Sequence, residues 1–227
     1  MRILALITAR EGSKRLPGKN LRMLGTKPLV SWSIDVVKDI PEICDILVST
    51  DAIEIAEISK EAGALVPWLR PAELATDIAT SVDVALHALD WYETERGIVD
   101  GLLLLQPTSP FRTKETVCKG IELFIKKKRS SVLGVSQTHA HPMWTLKMEG
   151  EFIVPFIAQH ALASRSQDLE PAYTVNGSFY LISPVELRLN QAFIGKRTIP
   201  LLIESSAEAL DIDTEWDFRL AEYLISK

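Results

Sequence analysis

Short apolar runs alternate with amphipathic helical patterns along most of the chain. The apolar runs predict strands near residues 2–8, 45–50, 101–106, 131–136, 175–182 and 198–203. The helical periodicity predicts helices near residues 28–39, 52–62, 79–95, 114–128 and 214–226. In the last helix, Trp216, Leu220 and Leu224 share one face, which we expect to dock on the sheet. This alternation is typical of βαβ units and predicts an α/β fold with a mainly parallel sheet flanked by helices.

The pattern changes between about residues 138 and 172, where neither the helical nor the strand period persists. Within this segment Met148–Phe152 resembles a hairpin turn, with Gly150 at its centre. We interpret residues 1–227 as a single domain in which residues 138–172 form an insertion, acting as a lid or as a dimer arm.

Composition narrows the class of protein. The 227 residues are 47% hydrophobic and carry a net charge of −5, which argues against non-specific binding to nucleic acid. No apolar run reaches the roughly 18 residues of a membrane helix, and the chain enters a strand at once without a signal-peptide pattern. Cys44 and Cys118 are isolated, as is typical of a reducing compartment. We therefore expect a cytoplasmic protein with no membrane or nucleic-acid partner.

A cationic loop, called the basic loop below, follows the first predicted strand in the segment Ala9–Asn20. Residues 10–22 carry five cations against Glu11 alone, a local charge of +4; the cations are Arg10, Lys14, Arg15, Lys19 and Arg22. Gly12 and Gly18 allow backbone amides to approach oxyanions. A solvated basic turn is the alternative interpretation. Open α/β sheets bind ligands at the carboxyl ends of their strands, so the position of the loop favours phosphate binding.

The two standard phosphate motifs do not fit this loop. A P-loop has four residues between its glycines and then Lys-Ser or Lys-Thr. Here five residues separate Gly12 from Gly18, and Asn20 follows Lys19. No G-x-G-x-x-G follows the first strand, so a dinucleotide fingerprint is absent as well.

Further blocks along the chain point to a known family. The loop resembles the opening motif of the acylneuraminate cytidylyltransferases, A-R-x-x-S-K-x-x-P-x-K-N, at every fixed position. Other blocks similar to that family follow in register: Val48–Asp51, Arg70–Ala75, Leu105–Arg112, Asn176–Gly177 and Asp211–Thr214. The related CMP-Kdo synthetases share a loop like Arg15–Lys19 but resemble this chain less in the later blocks. The chain is identified as a member of the CMP-nonulosonate synthetase branch.

The resemblance implies a Rossmann-like α/β domain of the nucleotide-diphospho-sugar transferase type, and a homodimer formed through the insertion. It also implies Mg²⁺-dependent transfer of CMP from CTP to the anomeric hydroxyl of a sialic-acid-like 2-keto sugar acid, with release of pyrophosphate. Two alternatives remain: a CMP-Kdo-type synthetase, and a regulatory module that binds CTP without catalysis.

The same resemblance implies roles for residues of the nucleotide site. Arg10, Ser13, Lys19 and Asn20 would contact CTP, and Lys14 would add charge beside them. Arg10 and Lys19 would also serve catalysis, since phosphoryl chemistry depends on positioning and cations. Arg70 would contact the cytosine or its ribose, with Ser81 nearby. A surface arginine between two proline-marked bends is the alternative for Arg70.

Asp211 and Asp213 are the candidate metal ligands and belong to the predicted catalytic set. In an extended segment residues i and i+2 point the same way, so both carboxylates can face one Mg²⁺. Magnesium prefers one or two carboxylates together with phosphates and water. We favour Asp211 as the ligand, with Asp213 as a second ligand or an orienting partner. Capping of the last helix is the alternative role of Asp213, and the general base stays undecided.

Residues after the third predicted strand are candidates for binding the sugar acid. Gln106, Thr108 and Ser109 lie at its carboxyl end, and Gln106 would hydrogen-bond the sugar. By the resemblance, Asn176 and, after a one-residue shift, Arg165 would join them. Arg112 is open to either substrate contact or an ion pair at the helix entry.

The acceptor region departs from the pattern of sialate-specific members. Those members carry the blocks H-P-x-K and R-P-N-G, and this chain has His141–Trp144 (H-P-M-W) and Thr174–Gly177 (T-V-N-G) at the corresponding positions. Replacement of a cation by Trp144 changes the chemistry of the site, which favours a relative of sialic acid such as legionaminic acid. His139 and His141 lack a third ligand nearby in the sequence, so an exposed loop is a better interpretation than a metal site.

Overall fold

The computed structural model describes residues 1–138, 140–157 and 165–226. Its strands are β1 (Ile3–Thr8), β2 (Met23–Leu24), β3 (Lys27–Pro28), β4 (Ile43–Ser49), β5 (Gly101–Leu105), β6 (Val132–Gln137), β7 (Leu146–Glu149), β8 (Phe152–Pro155), β9 (Tyr173–Ile182) and β10 (Ile199–Leu202). Its α-helices are α1 (Leu29–Asp35), α2 (Ile53–Glu61), α3 (Ser81–Arg96), α4 (Lys114–Lys126), α5 (Pro184–Asn190) and α6 (Glu215–Ile225).

A six-stranded sheet in the order β10-β6-β9-β5-β1-β4 organises the fold. β4, β1 and β5 pair in parallel, as do β6 and β10. β9 runs antiparallel between β5 and β6, with Leu104 opposite Tyr180 on one side and Val132 opposite Leu181 on the other. The predicted α/β fold with a mainly parallel sheet is confirmed. All carboxyl ends of the parallel strands meet at one edge, which they share with the start of β9.

Apolar side chains cover both faces of the sheet, which explains why the central strands are nearly continuous hydrophobic runs. On one face α1, α2 and α4 pack against the sheet through residues such as Ile34, Ile55 and Phe124. On the other face α3 and α5 contribute Leu89 and Leu187. With both faces covered, the functional groups lie at the carboxyl edge.

Three local predictions differ from the structure. α1 ends at Asp35, and turns continue to Asp39, which has φ 58°. α5 is a short helix that the periodicity did not predict; Ser183 caps it and Pro184 opens it. The expected docking of α6 on the sheet is wrong, because Phe218 packs in a separate cluster while Trp216 is 75% exposed. That cluster joins α6 to the basic loop and β2 rather than to the sheet.

Residues 138–172 leave the sheet after β6 and return at β9, and the amide of Thr138 donates to the carbonyl of Ala172 at 3.0 Å. Within this segment β7 and β8 pair as an antiparallel hairpin across Gly150, where the turn was predicted. One face of this hairpin is apolar, with exposed Leu146, Met148 and Ile153. His139 lies outside the described residues. Across the described chain, no helix combines the length and the hydropathy required to span a bilayer.

Candidate active site

A cavity of about 630 Å³ opens at the carboxyl edge above β4, β1 and β5. Five of the residues that line it are cationic and three are acidic. The cations are Arg10, Lys14, Arg15, Lys19 and Arg70, and the acidic residues are Asp77, Asp211 and Asp213. Segments far apart in the chain thus meet around one polar cavity, at the place where the predicted nucleotide residues were expected to converge.

The basic loop is fixed at both ends of its predicted motif. The amide of Ala9 donates to the carbonyl of Ser49 at 3.0 Å, which ties the loop to β4. Asn20 is 5% exposed, and its Nδ2 donates to the carbonyl of Arg10 at 2.8 Å. Gly18 adopts φ 64°, and a single turn of 3-10 helix, Lys19–Leu21, follows it. Asn20 therefore holds the loop itself, and its buried Oδ1 has no partner among the described residues.

Asp77 binds two cations of the loop. Its carboxylate lies 3.0 Å from Arg10 Nη1 and 2.5 Å from Lys14 Nζ. Hydrogen bonds from Lys14 and Arg10 lower the pKa of Asp77 below its usual value. Asp77 was not predicted from the sequence, because a lone aspartate between Thr76 and Ile78 belongs to no motif. In this structure Asp77 therefore lies between Arg10 and Lys14, where another anion such as a phosphate could compete for them.

Asp213 binds two further cations, one on each oxygen. Lys19 Nζ lies 3.1 Å from Oδ1, and Arg15 Nη2 lies 2.6 Å from Oδ2. The two cations differ in burial, since the side chain of Lys19 is 13% exposed and that of Arg15 is 69% exposed. Asp213 does not cap α6, because Thr214 caps that helix in a capping box with Asp217. Both oxygens of its carboxylate are therefore paired with cations of the loop.

Asp211 faces the cavity and forms no ion pair among the described residues. The surrounding protein partly desolvates its carboxylate and raises the pKa, while a hydrogen bond with Thr108 acts in the opposite direction and the charge of Asp213 adds to the increase. The amide of Ile212 donates to the carbonyl of Thr108 at 2.8 Å, which anchors this segment to the end of β5. Asp211 is thus the carboxylate most available to a ligand.

Arg70 lines the cavity from within the protein. It is 7% exposed, and its Nε and Nη2 donate to the hydroxyl and the carbonyl of Ser49 at 3.0 and 2.5 Å. Burial lowers the pKa of Arg70 to about 10, so the guanidinium remains charged at neutral pH. The surface-arginine alternative is wrong. Ser81, the first residue of α3, lines the same cavity and presents the positive end of that helix.

The residues proposed for the sugar acid fall into three groups. Gln106 and Thr108 line the main cavity. Asn176 lines a second cavity of about 750 Å³ at the ends of β6, β9 and β10, and Asp211 lines both cavities. Ser109 is fully buried, and its hydroxyl donates to the carbonyl of Asn176 at 3.3 Å. Ser109 therefore supports the Asn176 segment in this structure and does not line either cavity.

The remaining predicted residues lie away from the cavities. The side chain of Arg165 is 77% exposed and pairs with Asp168 at 3.4 Å. His141 has its Nε2 2.9 Å from the carbonyl of Glu170, a structural contact of the insertion. The structure has no cluster of three or more possible metal ligands in the residues it describes. A role of Arg165 toward the sugar acid stays a prediction.

Gly177 brings β9 close to the acceptor side of the main cavity. It has φ +73°, and a Cβ at this position would lie 2.8 Å from Gln106 Oε1 and 3.2 Å from Ser109 Oγ. The close approach of these three residues requires a glycine, both for its backbone conformation and for the space.

We expect Gly177→Ala to destabilise the fold by about 1–2 kcal/mol through backbone strain and also to displace Gln106. Gly150→Ala is the matched control, because Gly150 has φ +63° but no atom within 4 Å of the added Cβ. Urea unfolding should show a loss in both variants, whereas steady-state kinetics should show impaired turnover in Gly177→Ala alone. Equal activity in the two variants would contradict the assigned contact with Gln106.

Comparisons with known proteins agree with this geometry. A family model described as cytidylyltransferase matches residues 4–141. The chain is 39% identical to CMP-N,N'-diacetyllegionaminic acid synthase of Legionella pneumophila, over 99% of this chain and 97% of that protein. It is 34% identical to N-acylneuraminate cytidylyltransferase of Streptococcus agalactiae, over 96% of this chain and 52% of that protein. A solved CMP:2-keto-3-deoxy-manno-octonic acid synthetase complexed with CTP has a TM-score of 0.72 at 16% identity, covering 100% of this chain and 99% of that one.

Proposed function

The chain belongs to the cytidylyltransferase family, and from that premise we propose that it transfers CMP from CTP to the anomeric hydroxyl of a sialic-acid-like 2-keto sugar acid. The observation that carries the proposal is the cavity itself, in which the cations of the basic loop face Asp211 at the border with a second cavity. A triphosphate needs the cations of the basic loop. The acceptor hydroxyl must reach the α-phosphorus, and the second cavity beside Asp211 would place it there.

In the proposed reaction the anomeric oxygen attacks the α-phosphorus of CTP, and the bond from that phosphorus to the bridging oxygen of the β-phosphate breaks. Pyrophosphate takes the bonding electrons and leaves, while the acceptor hydroxyl loses its proton. Negative charge grows on the phosphate oxygens, so preorganised cations stabilise the transition state. Lys19, with Arg10 and Lys14, supplies those cations. Ser13 lines the cavity and would contact CTP, and Asn20 keeps the loop in position.

The cations of the loop must exchange partners when the nucleotide binds. In the free protein Arg10 and Lys14 pair with Asp77, and Lys19 pairs with Asp213. The triphosphate offers oxyanions that compete for the same N–H donors. Arg70 stays fixed on Ser49 and presents its charge to the base or ribose end, near Ser81 at the start of α3.

Members of this family generally use a divalent metal ion, and we propose Mg²⁺ here. The donor set fits, since Mg²⁺ needs only one or two carboxylates when phosphates and water complete its shell. Asp211 would hold it, because its carboxylate is unpaired among the described residues, whereas both oxygens of Asp213 contact cations. Bound Mg²⁺ would neutralise phosphate charge. Asp213 would orient Lys19 and act as a second ligand only if its ion pairs open.

For the acceptor we propose an acid of the legionaminate type. Trp144 and Thr174 lie at the positions where the blocks of sialate-specific members carry a lysine and an arginine. The relative from Legionella pneumophila is named for diacetyllegionaminic acid. The second cavity beside Asp211 has room for such an acid and has both polar and apolar residues in its wall.

A pyrophosphate-release assay with CTP and Mg²⁺ tests the function. We expect turnover with legionaminate, less with N-acetylneuraminate or pseudaminate, and none with Kdo or in EDTA. Clear preference for N-acetylneuraminate would contradict the altered acceptor, and preference for Kdo would favour the CMP-Kdo-type alternative. CTP binding without pyrophosphate release from any acid would favour a regulatory module.

We also propose a cytoplasmic homodimer, with residues 138–172 as the contact. The exposed apolar side chains on one face of the β7–β8 hairpin support this, since apolar side chains grouped on a surface often mark an interaction site. The free thiols Cys44 and Cys118 are consistent with a reducing compartment. Sedimentation equilibrium tests the dimer, and a monomeric mass at micromolar concentration would contradict it.

A further inference from the structure

A buried arginine lies below the acceptor side of the main cavity. Arg112 is 4% exposed and stands directly before Thr113, which caps α4. The ion-pair alternative from the sequence is wrong, because Arg112 pairs with no carboxylate in the described part of the chain. Burial lowers the pKa of Arg112 to about 9, which leaves it charged at neutral pH. Such a cation is costly to bury, so it requires several hydrogen bonds to replace its lost hydration.

Arg112 donates to three separate segments. Its Nη2 donates to the carbonyl of Gln106 at 3.1 Å and its Nη1 to the hydroxyl of Ser33 at 3.2 Å. Its Nε donates to the carbonyl of Ser178. Ser33 in turn donates to the carbonyl of Gln106 at 3.3 Å, which closes the network. One guanidinium therefore connects the end of β5, the middle of β9 and α1.

Two of these segments carry the acceptor-side groups of the cavity. Gln106 lines the cavity, and Ser178 directly follows Asn176 and Gly177. The side chain of Gln106 approaches Gly177 closely, because a Cβ on that glycine would lie 2.8 Å from its Oε1. Arg112 holds the backbone of Gln106 and that of Ser178, the residue that follows Gly177.

We infer that Arg112 is a positioning residue for the sugar-acid half of the site, because it fixes Gln106 and the Asn176–Ser178 segment relative to each other. The inference rests on the proposed function. Arg112 has no hydrogen bond to the groups assigned to the nucleotide, which lie on the basic loop, at Arg70 and at Ser81. Its effect therefore falls on the acceptor and not on CTP.

The shape of the guanidinium explains why the position needs arginine. Its planar fork donates in several fixed directions and can serve three acceptors at once. Lysine keeps the charge but concentrates it on one ammonium, which cannot reach Gln106, Ser33 and Ser178 together. Arg112→Lys therefore separates the geometry of the network from its charge, and Ser33→Ala removes one of the three acceptors with little change in volume.

Steady-state kinetics test the inference, with KM measured separately for CTP and for the best sugar acid. We expect Arg112→Lys to raise the KM of the acid about tenfold or more, since small displacements of positioning groups cost this much, and to leave the KM of CTP within about twofold. Ser33→Ala should raise the KM of the acid by a smaller factor. Arg22→Met is the control, because Arg22 is bonded to Glu215 and lies over Phe218, away from the acceptor.

The possible outcomes test the role of Arg112 separately from the proposed function. A purely structural role would lower the melting temperature and the active fraction in Arg112→Lys, as in Arg22→Met, without a selective change in the KM of the acid. An unchanged KM for the acid, or equal increases for both substrates, overturns the role of Arg112. If Arg112→Lys does not fold, a wild-type KM for the acid in Ser33→Ala overturns it. If wild-type protein turns over no sugar acid, the proposed function fails, and this inference fails with it.

Discussion

Replacing Asp211 with Asn is expected to reduce turnover by at least about 10³-fold, the scale at which a bound metal contributes to stabilising charge. Asp211 is the carboxylate that lines both cavities and has no ion pair among the described residues. Asparagine keeps the shape but removes the charge that would hold Mg²⁺ against the phosphates. Pyrophosphate release measures the loss, and calorimetric CTP titration of the variant should still show binding through the basic loop.

The same variant is expected to be more stable than the wild type in metal-free buffer. Desolvation raises the pKa of Asp211, so the folded state disfavours its charged form relative to the unfolded state. At pH 7 the carboxylate is charged and lowers the free energy of unfolding; asparagine removes that cost. The difference should disappear as pH falls below the unfolded-state pKa, where both states bind the proton. Melting curves in EDTA at pH 7 and pH 3 compare the two.

Asp217→Asn provides the control for Asp211. Its carboxylate lines neither cavity and accepts hydrogen bonds from Thr214 in the capping box of α6 and from the amide of Asp213. The change should therefore lower stability and reduce the rate far less than Asp211→Asn does. Wild-type turnover in Asp211→Asn would remove Asp211 from the metal site. Loss of turnover in Asp217→Asn without unfolding would show that the cap of α6 also controls the site.

The second large effect is expected for Lys19→Met, which should lower kcat/KM for CTP by about 10²–10³-fold, the usual cost of losing one preorganised donor to a developing oxyanion. Lys19 is 13% exposed and donates to Asp213 and to the carbonyl of Ile212. Charge in this partly buried position is weakly screened by water and salt. Methionine keeps most of the side-chain volume, so circular dichroism should remain that of the wild type.

Arg15→Met is the matched comparison for Lys19→Met. Arg15 lies on the same loop and pairs with the other oxygen of Asp213, but its side chain is 69% exposed. Exposed ion pairs contribute little, so we expect less than about a tenfold change in kcat/KM for CTP. Similar losses in the two variants would mean that the loop acts through its total charge, and would contradict the specific role of Lys19.

Strands and most helices could be predicted because burial on both faces of the sheet imposes long apolar runs. α5 could not, since its seven residues are too few to show a helical period, whereas the equally short α1 is followed by Val37 and Ile40, which extend its apolar pattern. The face of α6 was wrong for a different reason. Periodicity identified an apolar stripe, but the tertiary partners are Leu16 of the basic loop and Leu24 of β2, and no local pattern indicates these contacts.

In the candidate site, too, local motifs could be predicted and tertiary contacts could not. The basic loop and the Asp211–Asp213 pair could be predicted because their residues are concentrated in short motifs. Asp77 and the network of Arg112 could not, because each depends on contacts between segments distant in sequence, 66 residues apart for Arg112 and Ser178. Ser109 belongs to a motif, yet it is buried and bonds to the carbonyl of Asn176. A motif therefore indicates a region of the site without showing which side chains line it.

The place of β9 in the sheet affects how the protein folds during synthesis. β6 follows β5 along the chain, but β9 lies between them in the sheet. Until residues 173–182 emerge from the ribosome, β5 is therefore paired only with β1, and β6 has no neighbour. Pairing over such long separations is slow, and unpaired apolar edges are prone to association. Nascent chains that end before β9 should therefore expose the edge of β5 and need chaperone protection. The acceptor half of the site cannot form before β9 emerges, and the later segment that carries Asp211 completes it.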